Sequence, residues 1–316
     1  MSQIPQRTAV AIGAAALTFS IAACGGSAGG EDGGLAGEIV IDGSSTVTPH
    51  TIPAAELFQQ EHPDVNIPVA TSGTGGGFEK FCAGETDISM ASRPIKEEEV
   101  DACADAGIEY TEIGVANDGL AVVVNPENDW AECLTVDELS SAWATDATAE
   151  SWSQVRSDFP DEPIALFGPG SDSGTFDYFT EAINGEEGNI KTGYTDIGED
   201  DNAAVDGVAS DANAMAFLPL SFVEESGGAV RAVTVENEAG DCIEPTIETV
   251  QDGTYNPLGR QLYIYPSGDA LERDEVLEFL TFYIDNQAEI AEEALFIPLT
   301  DEQEDVAHAA VDELVN

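Results

Sequence analysis

The chain has 316 residues, 42% of them hydrophobic, which is enough for two domains and too apolar for a largely disordered protein. Nine Lys and Arg stand against 62 Asp and Glu, a formal net charge of −53, so the basic face that nucleic-acid binding requires is excluded. Acidic residues spread over the whole chain favour a halophilic protein, because salt at about 1 M shortens the Debye length to about 3 Å; an ordinary acidic protein is the alternative.

The first 24 residues have the pattern of an export signal. Arg7 is their only charged residue, and the apolar run over 9–23 is shorter than the roughly 20 residues of a membrane span. The run ends directly before Cys24 and resembles a bacterial lipoprotein signal, in which that cysteine carries the lipid; a plain signal peptide is the alternative. The glycine-rich segment 25–37 is predicted to be a flexible tether. We therefore expect an extracytoplasmic protein, periplasmic or at the cell surface, held to the membrane by a lipid anchor.

Strands and helices alternate along the rest of the chain. Strands are predicted at residues 38–42, 65–70, 120–125, 164–168, 214–218 and 261–265. Polar, glycine-rich loops and then helical segments follow several of these strands, and the last fifty residues have an amphipathic helical pattern. This alternation predicts an open α/β architecture.

Three of the strand-to-helix loops share glycine and hydroxyl residues, at 43–46, 73–77 and 171–175. A helix N-terminus offers unpaired N–H donors and about half a unit of positive charge. Glycine lets an anion approach the backbone, and Ser or Thr adds a hydroxyl. Three such loops at one cleft would bind a small oxyanion, whereas in each loop alone the Ser or Thr could simply cap its helix.

Arg93 is the cation that the sequence favours for such a site. It follows Ser92 at the end of an apolar, strand-like stretch and precedes Pro94. Only eight basic residues remain after Arg7 is set aside, and arginine pairs bidentately with phosphate. The alternative is a surface ion pair in a very acidic protein.

Four motifs, at 42–47, 72–78, 91–95 and 170–176, resemble in order and spacing those of the phosphate-binding proteins of bacterial high-affinity phosphate importers. The likeness extends from about residue 38 to the end. It implies an α/β, two-lobed periplasmic binding protein fold of type II, with the ligand cleft between the lobes. It also implies a non-enzymatic protein, expected to be a monomer without cofactor or metal. Such a protein captures inorganic phosphate and passes it to the membrane permease subunits of an ABC importer.

The resemblance carries over to particular positions. The residues implied to bind phosphate are Ser45, Thr46, Thr74, Ser92, Arg93, Asp172, Ser173, Gly174 and Thr175. Two positions depart from the better-known branch of the family: Pro169 stands in place of an arginine, and Ser92 in place of a phosphate-accepting aspartate. The cation is therefore assigned to Arg93, and the aspartate role to Asp172 first and Asp87 second. Such a carboxylate would accept the proton that phosphate carries and sulfate lacks.

The predicted lobe I comprises 38–116 plus 261–316 and lobe II comprises 117–260, with hinge closure around the two crossings. Four cysteines remain besides Cys24, and an even number in an exported chain indicates disulfides. The pairs Cys82–Cys103 and Cys133–Cys242 are predicted, because each then lies within one lobe and leaves the hinge free.

Two other classes of function are alternatives to phosphate transport. A serine hydrolase or phosphatase needs an activated nucleophile, but the loop at 170–174 has the wrong spacing for a GxSxG elbow. The three histidines are scattered, and the cysteines form no CxxC pair, so no metal site is expected. A binding protein for another tetrahedral oxyanion, or a phosphate sensor, remains open.

Overall fold

The computed structural model describes residues 34–198 and 200–315. The predicted signal at 1–24, with Cys24, lies outside these residues, as does most of the predicted tether. The strands are β1 Gly37–Glu38, β2 Ile41–Gly43, β3 Val65–Asn66, β4 Ile88–Ala91, β5 Ile113–Val124, β6 Cys133–Leu134, β7 Ala165–Gly168, β8 Thr195–Asp196, β9 Ala214–Pro219, β10 Arg231–Ala232, β11 Thr234–Glu236, β12 Cys242–Ile243 and β13 Gly259–Pro266. The helices are α1 Thr48–Glu61, α2 Gly73–Cys82, α3 Glu97–Ala106, α4 Val136–Trp143, α5 Trp152–Val155, α6 Gly174–Asn184, α7 Asp201–Ser210, α8 Leu220–Glu225, α9 Ile247–Gln251, α10 Asp274–Asp285, α11 Gln287–Glu293 and α12 Asp301–Val315.

One eight-stranded sheet runs through the described chain in the order β2-β4-β13-β5-β9-β7-β8, with β10 also paired to β5. The pairs β2–β4, β7–β9 and β7–β8 are parallel, as the repeated strand–loop–helix units require. The long strands β5 and β13 lie between them and are antiparallel to each other. The sheet therefore consists of two parallel α/β parts joined by two long crossing strands.

The apolar side chains form two main cores. The first core takes its buried residues from 39–116 and 262–311, with Phe58 and Phe279 near its centre. The second core takes its buried residues from 120–258 and adds Ile297, and here Trp143, Phe179 and Phe217 pack ring against ring. The two-lobed α/β fold predicted from the sequence is confirmed. The chain passes between the cores within β5 and near the start of β13, while the lobe bounds at 116/117 and 260/261 stay a prediction.

The predicted strands differ from the observed ones in length. The apolar run at 65–70 forms only the two-residue β3, because Pro68 has no N–H to donate to a ladder. The strand β5, by contrast, is longer than predicted and begins seven residues before the predicted start at 120. Its first part lacks a continuous apolar pattern, because polar residues and glycines stand at 114 and 117–119. Its extended backbone is fixed by pairing with β13.

The predicted disulfides are both present. Cys82–Cys103 joins α2 to α3 beside the first core, and Cys133–Cys242 joins β6 to β12 beside the second. Neither bridge spans the two cores. Within the described residues, no helix combines the length and apolar character needed to cross a bilayer.

Two glycines let the loops of the first core approach each other closely. Gly43 has φ +145°, and a Cβ there would lie 2.2 Å from the Met90 carbonyl oxygen. A Cβ on Gly77 would lie 2.5 Å from the Gly43 Cα. The glycines thus allow the first turns of α2 to pack directly on the loop that precedes α1, despite their weak helix propensity.

Candidate functional site

The loops before α1 and α6 come from different cores and meet. The Ser45 hydroxyl donates to Asp177 Oδ2 at 3.0 Å, and the Thr46 hydroxyl lies 3.5 Å from the Gly174 carbonyl oxygen. A Cβ on Gly174 would lie 3.0 Å from the Thr46 Cα, so the two backbones are almost in contact. The N-termini of α1 and α6 therefore face one cleft from opposite sides.

The loop before α2 reaches the end of β4. Thr74 Oγ1 and Ser92 Oγ are 3.0 Å apart, and the Ser92 N–H donates to Thr74 Oγ1 at 3.3 Å. Both side chains are buried. Thr74 and Ser92 thus form a hydrogen-bonded pair where the start of α2 meets the end of β4.

The hydroxyls differ in whether they cap helices. Ser173 accepts from the Thr175 N–H and caps α6, so the capping interpretation is correct for that residue. Residues Thr46 and Thr74 do not stand at the N-cap positions of α1 and α2, which are Val47 and Ser72. The N–H groups of Ser45 and Thr46 donate to no acceptor within residues 34–198 and 200–315. These free donors at the start of α1 suit an anion.

Arg93 reaches the cleft region but is already paired. Its Nη1 and Nη2 donate to the two carboxylate oxygens of Glu99, each at 2.8 Å. The hydrogen bond to Glu99 is the main cause that raises the pKa of Arg93. Glu99 in turn caps α3 by accepting from the Lys96 N–H. The ion pair that the sequence offered as the alternative is present in this structure.

A second arginine, which the sequence interpretation missed, lies between the cores. Arg260 in β13 donates from Nε to Asp118 Oδ2 at 3.2 Å and from Nη2 to Thr46 Oγ1 at 3.1 Å. Its guanidinium carbon lies 3.3 Å from the ring centroid of Tyr178. Two signals in the sequence could have pointed to Arg260. It is one of only eight basic residues beyond position 7, and it stands at the predicted crossing into lobe I.

Two cavities adjoin this contact. One of about 520 Å³ is lined by Ser92, Arg93, Tyr178, Glu181 and Arg260, among others. The other, of about 270 Å³, is lined by Ser45, Thr46, Asp118 and the α6 start at 173–175, among others. Most of the residues predicted from the sequence therefore surround the cleft. Thr74 joins them through Ser92, and Asp172 lines neither cavity.

The carboxylates that the structure places near the cleft are not the ones that the sequence predicted. Asp172 is exposed in the turn before α6, and Asp87 pairs with Arg273 at 2.6 Å and accepts from the Val40 N–H. By contrast, Asp177 is bonded to Ser45 across the cleft, and burial raises its pKa although Ser45 and Arg260 oppose that rise. Burial also raises the pKa of Asp118, against the field of Arg260.

The cleft thus combines free N–H donors, hydroxyls and a guanidinium with the carboxylates of Asp118 and Asp177, whose pKa values burial raises. Donors of this kind bind an oxyanion, and a carboxylate can accept a hydrogen bond from an oxyanion that carries a proton. No group of three His, Cys, Asp or Glu side chains among the described residues is arranged to hold a metal ion.

Sequence and structure comparisons with known proteins find relatives of one kind, several of them named as phosphate-binding proteins. The profile of the PBP superfamily domain matches residues 28–287. The protein SphX of Synechococcus elongatus is 43% identical over 263 residues, 83% of this chain and 77% of the relative. The phosphate-binding protein PstS of Staphylococcus saprophyticus is 35% identical over 306 residues, 96% of this chain and 93% of the relative. The crystal structure of a possible phosphate binding protein from Planctomyces limnophilus superimposes with a TM-score of 0.86 at 42% identity, covering 89% of this chain and all of that one.

Proposed function

The chain belongs to the PBP superfamily and, within it, to the PstS-type phosphate-binding proteins, and from this membership we propose that it captures inorganic phosphate and delivers it to an ABC importer. The observation that carries the proposal is the meeting of the α1 and α6 N-termini, from two cores, around free N–H groups and hydroxyls. The protein is then a binding component of transport and not an enzyme.

The proposed site encloses the anion between the two lobes. We propose that phosphate oxygens contact Ser45, Thr46, Thr74, Ser92, Ser173, Gly174 and Thr175, whereas Arg93, which the sequence favoured, is held by Glu99. The donors on each side come from a different lobe, 38–116 plus 261–316 on one side and 117–260 on the other, so binding favours hinge closure. In a closed cleft, fixed N–H dipoles are little screened and act strongly over short distances.

Selectivity for phosphate over sulfate needs a carboxylate inside the cleft. Asp172 was the first choice, but its side chain is exposed in this structure. Asp177 accepts from the Ser45 hydroxyl at the contact between the two helix starts, and an ionised carboxylate at this place can accept the proton of a partly protonated phosphate. We therefore favour Asp177 for this role, because sulfate would offer no proton and would meet the carboxylate as a repulsive neighbour.

The location follows from the family and from the N-terminal sequence. PstS-type proteins act outside the cytoplasmic membrane, and we propose that Cys24 carries a lipid that anchors this one near its permease. Metabolic labelling with a radioactive fatty acid tests the anchor: the wild-type chain should be labelled and the Cys24→Ser variant should not. Label on the variant, or none on the wild type, would refute the anchor without touching the phosphate proposal.

Titration calorimetry at high salt tests the ligand. Phosphate and arsenate should bind in a 1:1 ratio, and sulfate and molybdate should bind much more weakly. Thr46→Val should weaken phosphate binding about tenfold or more, since it removes the hydroxyl that accepts from Arg260 and lies against the Gly174 carbonyl oxygen. Tight binding of sulfate or molybdate in place of phosphate would indicate the other-oxyanion alternative, and turnover of a chromogenic phosphate ester would indicate an enzyme.

A further inference from the structure

Arg260 occupies a position that belongs to both cores. It lies in β13 directly opposite Asp118 in β5, and these two strands carry the chain between the first and the second core. The register of an antiparallel ladder fixes which residues face each other. The guanidinium is therefore placed by the crossing strands themselves, and not by a flexible loop.

Three contacts hold this guanidinium between the lobes. Asp118 accepts from Nε at 3.2 Å, with the Arg260 side chain only 13% exposed. Thr46, on the first-core side, accepts from Nη2 at 3.1 Å. Tyr178, on the second-core side, presents its ring face 3.3 Å from the guanidinium carbon, a cation–π geometry. Arg260 thus contacts both walls of the cleft at the same time.

Donors remain after these contacts. Arginine has five N–H groups, and Asp118 and Thr46 engage one each. Nη1 makes no hydrogen bond with any residue that the structure describes, and Arg260 lines the 520 Å³ cavity together with Ser92. A nearly buried cation with unused donors, bonded to Thr46 and lining the same cavity as Ser92, is suited to an anionic acceptor.

Arg93 has no comparable free terminal nitrogen. Both of its terminal nitrogens are held by Glu99 at 2.8 Å, and Nη1 also donates to the Pro94 carbonyl. To bind an anion bidentately, Arg93 would have to give up the Glu99 pair and leave that partly buried carboxylate without its cation. Arg260 needs to break no contact to accept the anion on Nη1.

We propose that Arg260, oriented by Asp118 and Tyr178, is the guanidinium that binds the phosphate, and that it couples binding to lobe closure because it stands on a crossing strand. The proposal rests on the proposed function and assigns a residue within that site. Arg93, which Glu99 holds at the start of α3, then contributes little to the affinity.

Calorimetry on matched variants decides between the two arginines. Arg260→Gln should lose about tenfold or more of the phosphate affinity, whereas Arg93→Gln should change it less than about threefold. Arg260→Lys keeps the charge without the planar fork and should fall between Arg260→Gln and the wild type. Small-angle scattering should show phosphate-induced compaction in the wild type and in Arg93→Gln, and little in Arg260→Gln at the same phosphate concentration.

Folding of each variant is checked by circular dichroism without phosphate. If Arg260→Gln does not fold, Arg260→Lys against Arg93→Lys makes the same comparison, and the larger loss must again be at position 260. A large loss on changing Arg93 with normal binding on changing Arg260 would overturn the assignment. Failure of the wild type to bind phosphate would instead overturn the proposed function, and Arg260 would then be tested with whichever oxyanion binds.

Discussion

The two walls of the cleft differ in chemistry although each begins with a helix N-terminus. The first wall consists of Thr46, Thr74 and Ser92 of the first core, which offer hydroxyls and free N–H groups. The second wall consists of the first turn of α6, with residues 173–175 and Asp177, which accepts from Ser45, and of Glu181 one turn beyond Asp177. The first wall can only attract an anion, whereas the second both attracts it and sets acidic groups near it.

This difference separates affinity from selectivity. Donors on both walls, together with Arg260, favour any small oxyanion, because charge-assisted hydrogen bonds are strong where little water screens them. The acidic groups of the second wall favour anions that keep a proton. Two changes to the walls and one change of salt concentration break or sharpen this comparison.

The largest effect is expected from keeping the walls apart. In Gly174→Val the new side chain would meet the Thr46 Cα, since a Cβ alone already comes within 3.0 Å of it. We expect phosphate affinity to fall about tenfold to a hundredfold, because closing the cleft would then carry the free-energy cost of forcing extra atoms into a packed contact. Ser171→Ala, a change at an exposed residue of the preceding turn, is the control and should bind as the wild type does. Unchanged binding by Gly174→Val would mean that the walls do not need to touch.

A smaller effect, on selectivity, is expected from Asp177→Asn. The amide can donate to sulfate where the carboxylate repels it, so the ratio of phosphate to sulfate affinity should fall about tenfold. Competition calorimetry with both anions measures that ratio. Asp172→Asn is the matched control: if that variant alone loses selectivity, the original assignment to Asp172 is right and Asp177 is wrong.

Asp177→Asn also tests a predicted pH dependence of the stability of the fold. Burial raises the pKa of Asp177 in the folded protein above its ordinary value of 3.8. A carboxyl group whose pKa is higher in the folded than in the unfolded protein stabilises the fold only while it is protonated. This stabilisation is fully present below the pKa of the unfolded chain and is lost as the pH rises through the pKa of the folded protein. Above pH 3.8 the free energy of unfolding should therefore fall in the wild type relative to Asp177→Asn. Urea denaturation at high salt from pH 4 to 7 measures the difference, and parallel curves for the two proteins would contradict it.

The smallest effect is expected from salt. A chain with 62 acidic residues repels phosphate at a distance, and added salt screens that repulsion. The association rate should then rise by a factor of about two to ten as salt increases, while the dissociation rate changes less because it reports local contacts. Stopped-flow binding measures both rates; an association rate that falls with salt would show that the positive wall ends dominate the approach.

The sequence predicted the first wall and the α6 turn because their residues stand in local motifs. A strand end, a glycine and a hydroxyl before a helix are adjacent in the chain, so their chemistry can be inferred without a fold. The strand–loop–helix alternation likewise predicted an α/β architecture, while its two lobes were implied by the family resemblance, and the disulfide partners followed from placing each pair within one lobe.

Arg260 could not be found in that way. Its contacts with Asp118 and Thr46 join residues 142 and 214 positions apart, and they exist only because β13 lies against β5 in one register. Arg93 was favoured because it adjoins a motif, but the start of α3 brings Glu99 onto it. Asp177 was passed over for a similar reason: its partner Ser45 is 132 residues away.

The division of the first core between the two ends of the chain bears on how the protein is made. The second core draws almost entirely on residues 120–258, whereas the first must join 39–116 to 262–311. Contacts close in sequence form before distant ones, because long loops cost more entropy to close. During export or refolding, we therefore expect β7 and β9 to become protected from hydrogen exchange before β2 and β4. The first wall would be the last part of the cleft to take shape, and a partly translocated chain could not yet hold its ligand.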